Sequence, residues 1–448
     1  MKLKRSAYQK LLNWKKSDIR KPLLIRGARQ VGKTSLVRMF SKEFTNYAEL
    51  NLEKSSDRKY FETDDTHKLI NGIFLKNDII DDGKPVLIFI DEIQACPAAI
   101  KQLRFIYEQR PDIYVIAAGS LLEFALKKIP HFPVGRIQYL YLFPMNFSEF
   151  LFARGNKALS EAYHSVPVPE YAHDTLLAEF HEYAMIGGMP EIVAVYLQKK
   201  NLTLLKELFS GLWQSYTDDV EKYASNNTQR QVIRHAIDTA PYEHGRIKFE
   251  KFGKSNYRSR EMGEAFRALD MARIIRLIYP TNDTEPPLHR NFNKRPRLQF
   301  LDIGLLINAL NMHYELINIT DLNNVAKGRI IEQLLTQEII SIYQKESYTP
   351  CFWVREKTNS SAEVDLVYQY KDMILPVEMK SGKQGRLRSL HQFIELSPHP
   401  YAIRLYSGEF NIEKAKTPSG KDYMLMNLPY YLAGKLPEYV AYFIHQFR

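Results

Sequence analysis

Gly27-Ala28-Arg29-Gln30-Val31-Gly32-Lys33-Thr34 fits the pattern G-x-x-x-x-G-K-[ST] at every fixed position, and Ser35 extends it into the next element. Before it, Leu23-Leu24-Ile25 is a short apolar run of buried-strand type. After it, Ser35-Leu36-Val37-Arg38-Met39-Phe40 has helical spacing. Strand, glycine loop and helix in that order make an anion cradle. Two glycines let the backbone curl until its N–H groups face phosphates, and the helix N-terminus adds positive dipole. Gly27 through Ser35 would wrap a nucleotide, with Lys33 reaching the β- and γ-phosphates and the Thr34 hydroxyl ligating Mg²⁺. The stretch predicts binding of a nucleoside triphosphate, ATP with Mg²⁺.

A matching acidic signal lies downstream. Val86-Leu87-Ile88-Phe89-Ile90 is an apolar strand that delivers Asp91-Glu92 at its C-terminal end, where open α/β sheets bind ligands. Asp91 is expected to hold Mg²⁺, directly or through water, and Glu92 to activate the attacking water. Ile113 to Ala118 is another strand, ending in Gly119-Ser120. There Ser120 either touches the γ-phosphate or caps the following helix. Arg136 sits in a loop before the strand-like run Gln138 to Leu142. It is an arginine finger, a nucleotide sensor or an ordinary surface arginine. Tyr47 to Leu52 alternates as a strand, and helical periodicity fills the gaps. Alternating units of this kind imply a mainly parallel sheet covered by helices. Ahead of them, residues 1–22 form a basic amphipathic helix with Tyr8, Leu11, Leu12 and Trp14 on one side, which packs on the sheet or covers the adenine end.

The chain has 448 residues, enough for two to four domains, and its 45% hydrophobic and 25% charged fractions are those of a soluble globular protein. A formal charge of +11 favours polyanionic partners, either nucleic acid or an acidic membrane face. The two cysteines, Cys96 and Cys351, make neither a disulfide framework nor a paired-cysteine zinc site. Met1 to Lys16 lacks the apolar core of a signal peptide, and no apolar run approaches membrane-spanning length. A cytoplasmic location is the expectation, without a transmembrane segment.

Further along, Phe143-Pro144-Met145-Asn146-Phe147-Ser148-Glu149-Phe150, Gly187-Gly188-Met189-Pro190 and Phe300-Leu301-Asp302-Ile303-Gly304-Leu305 stand out. Together with Gly27–Thr34, Asp91-Glu92, Gly119-Ser120 and Gly135-Arg136 they resemble the prokaryotic AAA-type ATPases of largely unassigned role. The resemblance covers nearly the whole chain. It implies an ATPase core like that of signal-transducing ATPases, followed by a winged helix and a restriction-endonuclease-like domain. It also favours a nucleotide-directed role for Arg136.

Val166-Pro167-Val168-Pro169 reads as an extended linker, and residues 171–240 as helical throughout. Asp218, Asp219 and Glu221 lie close together there; a solvated helix face is the favoured reading, with a partner or cation as the other. Residues 241–310 are compatible with a winged helix. They combine a helix over Ser259 to Ile275, a strand Ile275 to Tyr279 and a return strand Leu298 to Leu301. The loop His289 to Arg297 between the strands is basic and, with Arg258, Arg260 and Arg267, would track DNA phosphates, unless the unit is an interdomain spacer.

The last constellation lies in residues 327–400. Glu363 to Tyr368 alternates as a strand, Lys371-Asp372 turns, and Met373 to Lys380 returns with Glu378 and Lys380 on one face. Asp365, Glu378 and Lys380 match the D…E-x-K pattern of restriction-endonuclease-like enzymes, with Val364 where the motif's name has proline. Two carboxylates would hold Mg²⁺ against a phosphodiester while the lysine steadies the hydroxide or the transition-state charge. Glu332 would add a ligand from the helix Ile330 to Ile340, and Gln392 sits on the next helix.

The expected fold is therefore α/β. A P-loop NTPase core over 1–155 precedes a helical lid over 156–240, a winged-helix-like domain over 241–310 and a restriction-endonuclease-like α/β domain over 311–448. The leading function is Mg²⁺-dependent ATP hydrolysis that controls a DNA-binding and nuclease-like region, in a chain that forms homo-oligomers if Arg136 acts across an interface. The alternatives are a switch or scaffold with an inert nuclease fold, and a protein- or membrane-surface-remodelling ATPase.

Overall fold

The computed structural model describes residues 3–119, 135–222, 224, 226–316, 321–322, 325, 328–343, 348–357, 360–379 and 387–447. The first layer is a five-stranded sheet of β1 (Leu23–Arg26), β2 (Asn46–Asn51), β3 (Val86–Asp91), β4 (Tyr114–Gly119) and β5 (Gln138–Tyr141), in the order β2-β3-β4-β1-β5. All its pairings are parallel. β1 and β3 are buried along their length and apolar up to their last residues, Arg26 and Asp91, as strands covered on both faces must be. The helix Ala7–Lys15 buries Ala7, Leu11 and Trp14, so the N-terminal segment packs on the sheet as one of its expected roles.

Helices then dominate from Phe147–Arg154 to Asn227–Thr239. The Val166–Pro169 stretch is extended, yet it is anchored: the Val168 N–H donates to the Tyr439 hydroxyl at 2.8 Å. The helix Ser259–Met271 leads into an antiparallel pair, β6 (Ile275–Ile278) with β8 (Arg297–Phe300). The helix ends four residues before the expected Ile275 because Arg273 takes a φ of 63°, left-handed and incompatible with continuation. Between the two strands the chain does not form a free loop. β7 (Pro280–Thr281) pairs in parallel with β9 (Cys351–Lys357), joining a second sheet.

That sheet is mixed, with β10 (Ser360–Tyr370), β11 (Met373–Met379), β12 (Tyr401–Tyr406), β13 (Asn411–Lys416) and β14 (Asp422–Pro429) in the order β13-β14-β12-β11-β10-β9-β7. The helix Arg329–Tyr343 covers one face and Arg388–Leu396 the other. One apolar core runs from Ile25 and Val37 through Phe180 and Phe266 to Leu375 and Ile403, so the regions share buried surface rather than hanging on tethers.

Candidate functional site

The glycine loop is built as its composition requires. Gly32 takes a φ of 94° at the N-cap of the helix Lys33–Phe40. A Cβ on Gly27 would lie 2.3 Å from the Leu142 carbonyl oxygen, so only glycine fits against β5 there. Lys33 Nζ donates to the carbonyls of Gly27 at 2.9 Å and Ala28 at 2.7 Å, inside the loop it is expected to serve. Burial pulls its ammonium down to about 8, against the attraction of Glu92 and Asp91.

β3 brings the acids to the same sheet edge. Thr34 Oγ1 donates to Asp91 Oδ2 at 2.7 Å. A hydroxyl and a carboxylate meeting at the foot of a phosphate cradle are the hard oxygen donors that Mg²⁺ takes, so these residues fit the expected ion. Burial raises the Asp91 carboxyl above its ordinary value, opposed by the Thr34 hydrogen bond. Glu92 has a φ of 50°, a left-handed conformation that costs energy in a non-glycine residue and that recurs at functional positions. Its carboxylate accepts a hydrogen bond from Gln94 Nε2. Beside the loop, Leu3, Ser35, Leu36, Met39 and Pro190, with Arg38 and Lys42, line an open cleft of about 410 Å³, within the range of small-ligand pockets.

One residue of this site, Arg5, carried no sequence signal. Arg5 donates to Glu149 at 2.8 Å, to the Val31 carbonyl at 2.8 Å and to the Phe143 carbonyl at 2.6 Å, tying the glycine loop to the segment after β5. Asp219 corrects the solvated-face reading of the lid acids. It is 3% exposed and holds the Arg29 guanidinium at 2.8 Å, while Tyr216 Oη donates to the Arg29 carbonyl at 2.9 Å. Glu221 is buried as well and binds Arg234.

Arg136 stands at the other end of the sheet. β1 and β5 run in parallel with Leu23 opposite Gln138, so Arg136 precedes the strand start while the glycine loop follows the strand end. The length of β1, about 3.3 Å per residue, separates them. The half-exposed side chain pairs with Glu108 at 3.1 Å. Ser120 lies outside the described residues.

A buried polar junction joins this core to the rest. The Gly188 N–H donates to Asp302 at 2.6 Å, and Met145 N–H to the Gly188 carbonyl at 2.7 Å, so three of the stretches singled out in sequence meet. Glu338, fully buried on the helix Arg329–Tyr343, accepts the Phe147 N–H at 3.1 Å. Tyr183 Oη lies 2.8 Å from both the Met145 carbonyl and Glu338 Oε1. Its single proton serves only one of them, and a carbonyl donates nothing. The contact to Glu338 is therefore completed by a proton on Glu338. Burial independently pushes that carboxyl up to about 7, and Asp302 up to about 6.

In the second sheet, Leu366 pairs with Val377, which sets Asp365 across from Glu378 on neighbouring strands. A β-bulge between Val364 and Val367 re-aims Asp365, whose carboxylate accepts the Met379 N–H at 2.9 Å. Lys380 lies outside the described residues. Among the described residues no three His, Cys, Asp or Glu side chains are placed to hold a metal ion. A cation of the chain itself stands among these acids: Arg297 donates to Glu332 and to Glu363 and lies 3.8 Å from Asp365. This corrects the phosphate-facing reading at two positions of the His289 to Arg297 loop, Arg297 itself and Lys294, which pairs with Glu356 at 3.0 Å. Among the described residues, no helix is long and apolar enough to cross a membrane.

Residues 19–151 match the family model of an AAA domain. Residues 177–316 and 327–430 match two domains of unknown function, DUF8612 and DUF4143. No curated protein matches the chain in sequence. Among solved structures, the Walker-type ATPase PABY2304 of Pyrococcus abyssi is similar at 13% identity and a TM-score of 0.44, over 69% of this chain and 96% of that one. The Aeropyrum pernix ORC1 protein, solved in complex with DNA, aligns at 11% identity and a TM-score of 0.29, over 69% and 93%. The C. elegans PCH-2 structure aligns at 17% identity and a TM-score of 0.27, over 43% and 59%. By its family match, and by the glycine loop and acidic strand end on one parallel sheet, the N-terminal third is an AAA-type nucleotide-binding domain.

Proposed function

We propose that this protein hydrolyses ATP with Mg²⁺ and that its nucleotide state sets the disposition of its C-terminal region. The observation that carries the reading is the 2.7 Å contact of Thr34 with Asp91 beside the buried Lys33. Lys33 and the loop amides hold the β- and γ-phosphates, Thr34 and Asp91 hold the ion, and Glu92 takes a proton from the attacking water. Mg²⁺, when bound, offsets charge on the phosphate oxygens. Arg136, remote from its own loop, acts on the nucleotide of a second copy in a homo-oligomer.

In the same reading residues 241–310 are a winged-helix-like unit and DNA is the polyanionic partner. Support comes from the formal charge of +11 and from a groove in which Lys248, Lys251 and Arg295, together with Arg246, outnumber Glu243 and Glu250, with Tyr279 and Phe292 alongside. Residues 311–448 are restriction-endonuclease-like, with Asp365 and Glu378 as ion ligands and Lys380 beside the phosphate. The seat taken by Arg297 favours a second reading, in which that fold is inert as the chain stands.

The test is Mg²⁺-dependent ATPase activity, measured with and without single- and double-stranded DNA, on wild type, Lys33→Ala and Glu92→Gln. Lys33→Ala should lose nucleotide binding. Glu92→Gln should keep ATP and lose about a hundredfold or more in turnover, the scale of a general base. Wild-type hydrolysis by Glu92→Gln would overturn the base assignment.

A further inference from the structure

Three carboxylates of the second sheet and its covering helix converge on one guanidinium. Arg297 opens β8, and its Nη1 donates to Glu332 while its Nη2 donates to Glu363. Nη2 lies 3.8 Å from Asp365 Oδ1, and Nη1 lies 3.5 Å from the Asp365 carbonyl oxygen. The ring of Phe352 backs the guanidinium, 4.4 Å from its centroid. Burial opposes the charge on Arg297, but Glu332, Glu363 and Asp365 outweigh it and hold its pKa above the ordinary value. Arg246 adds contacts to Glu363, at 3.1 Å, and to Glu356. The side chain of Arg297 is only 14% exposed.

The backbone explains how acids from two elements reach one point. Before the bulge in β10, Ala362 and Val364 lie on one face of the sheet; after it, Leu366 and Tyr368 lie on the other. One extra residue thus reverses the alternation at Asp365. Glu363 and Asp365 then lie beside the helix that supplies Glu332. β7 clamps the segment that carries Arg297. Asn282 Nδ2 donates to the Val354 carbonyl at 2.6 Å, and Trp353 Nε1 to the Asn282 carbonyl at 3.2 Å.

We propose that Arg297 is an autoinhibitory plug: an internal cation, delivered by the β6–β8 hairpin, that fills the carboxylate site of the C-terminal region and excludes a divalent ion. The proposal rests on the nuclease-like reading of residues 311–448 and states how that site is regulated. A planar, singly charged fork satisfies two carboxylates through directed hydrogen bonds. It cannot ligate a phosphate oxygen and a carboxylate together as a divalent ion does. The same contact removes Arg297 from any nucleic-acid surface, so the acids and the basic strand silence each other. Lifting the hairpin frees both at once.

The experiment uses the full chain without nucleotide, with Mn²⁺ as the probe. Arg297→Met keeps the side-chain volume and removes the cation. It should unfold earlier than wild type in chelator and recover several degrees with Mn²⁺, whereas wild type should be indifferent to the ion. Paramagnetic titration should show Mn²⁺ binding at least about tenfold tighter than in wild type, a gain that Glu363→Gln or Asp365→Asn then removes. Arg297→Lys keeps the charge, and so the fold, but has no fork; its Mn²⁺ response should lie between the two. Equal Mn²⁺ binding by wild type and both variants would overturn the plug. So would destabilised variants that Mn²⁺ does not rescue, which would make Arg297 a plain structural ion pair. If Arg297→Met binds Mn²⁺ but leaves supercoiled DNA intact, the plug stands and the nuclease reading falls.

Discussion

The carboxylate of Asp219, on the helix Leu202–Glu221, holds the guanidinium of Arg29 in the glycine loop at 2.8 Å. This helix thus grips the element expected to bind phosphate through that element's own cation. A triphosphate entering the loop competes with Asp219 for Arg29, because Asp219 already offsets the single positive charge of that guanidinium. Asp219→Asn should therefore bind ATP several-fold more tightly, as no ion pair must first be loosened. Without nucleotide it should lose about 1–3 kcal/mol, less than a fully buried pair because Arg29 is one-third exposed. Nucleotide titration and thermal melting read the two effects separately. Weaker ATP binding in the variant would mean that the pair belongs to the binding-competent state.

Lys33 supplies a pH dependence whose sign follows from its burial. Its ammonium is held down to about 8 in the nucleotide-free protein. Phosphates restore the charged form, so binding near pH 8 should take up roughly half a proton. Above that pH, affinity should fall as the free protein deprotonates. Calorimetry in buffers of differing ionisation heat measures the uptake directly. Proton release at pH 8, or affinity flat from pH 7 to 9.5, would contradict the placement of Lys33.

The nucleotide site was legible because its chemistry is local: the loop, its flanking strand and helix, and Asp91-Glu92 each carry their reason within a few residues. The lid acids were misread for the opposite reason. Asp219 finds its partner 190 residues away, and periodicity on its own helix carries no trace of that arginine. Arg297 was assigned to phosphate because its neighbours in sequence are basic, whereas the acids that neutralise it stand 35 and 66 residues downstream. The Asp365–Glu378 hairpin was read correctly as strands, but the bulge that re-aims Asp365 leaves no mark in an alternating pattern.

Glu338 gives the junction between core and C-terminal region its own pH response. The folded carboxyl keeps its proton to about pH 7, against 4.5 for the ordinary group. Between those values the native chain binds more protons than the unfolded chain. The stability from this group is complete below pH 4.5 and is lost as pH rises through 7, by on the order of 3 kcal/mol. Asp302, raised to about 6, acts in the same direction over a lower window. Glu338→Gln still accepts from the Phe147 N–H and can donate its amide N–H to Tyr183 Oη, but has no titrating proton to lose. Its stability relative to wild type should rise from pH 5 to about 7 and level off above that, as measured by denaturant unfolding. A difference that stays constant with pH would mean that Glu338 is ionised in the folded protein.

The basic groove makes the final prediction, and the ion pairs of the neighbouring loop sharpen it. Lys294 and Arg297 are engaged by Glu356, Glu332 and Glu363, so reversing them disturbs the fold as well as any partner. Lys248, Lys251 and Arg295 instead line an open groove. If DNA lies there, each phosphate they neutralise releases counterions, and affinity falls steeply with salt. Reversing these three residues to glutamate should remove most of the binding. It should also flatten the slope of log affinity against log salt by about two to three, the slope being roughly 0.9 per phosphate contact. Basal ATPase activity and melting temperature should stay at wild-type values, because none of the three touches the nucleotide site or the buried junction. Binding that survives the triple reversal with its salt slope intact would place the polyanion on another face of the protein.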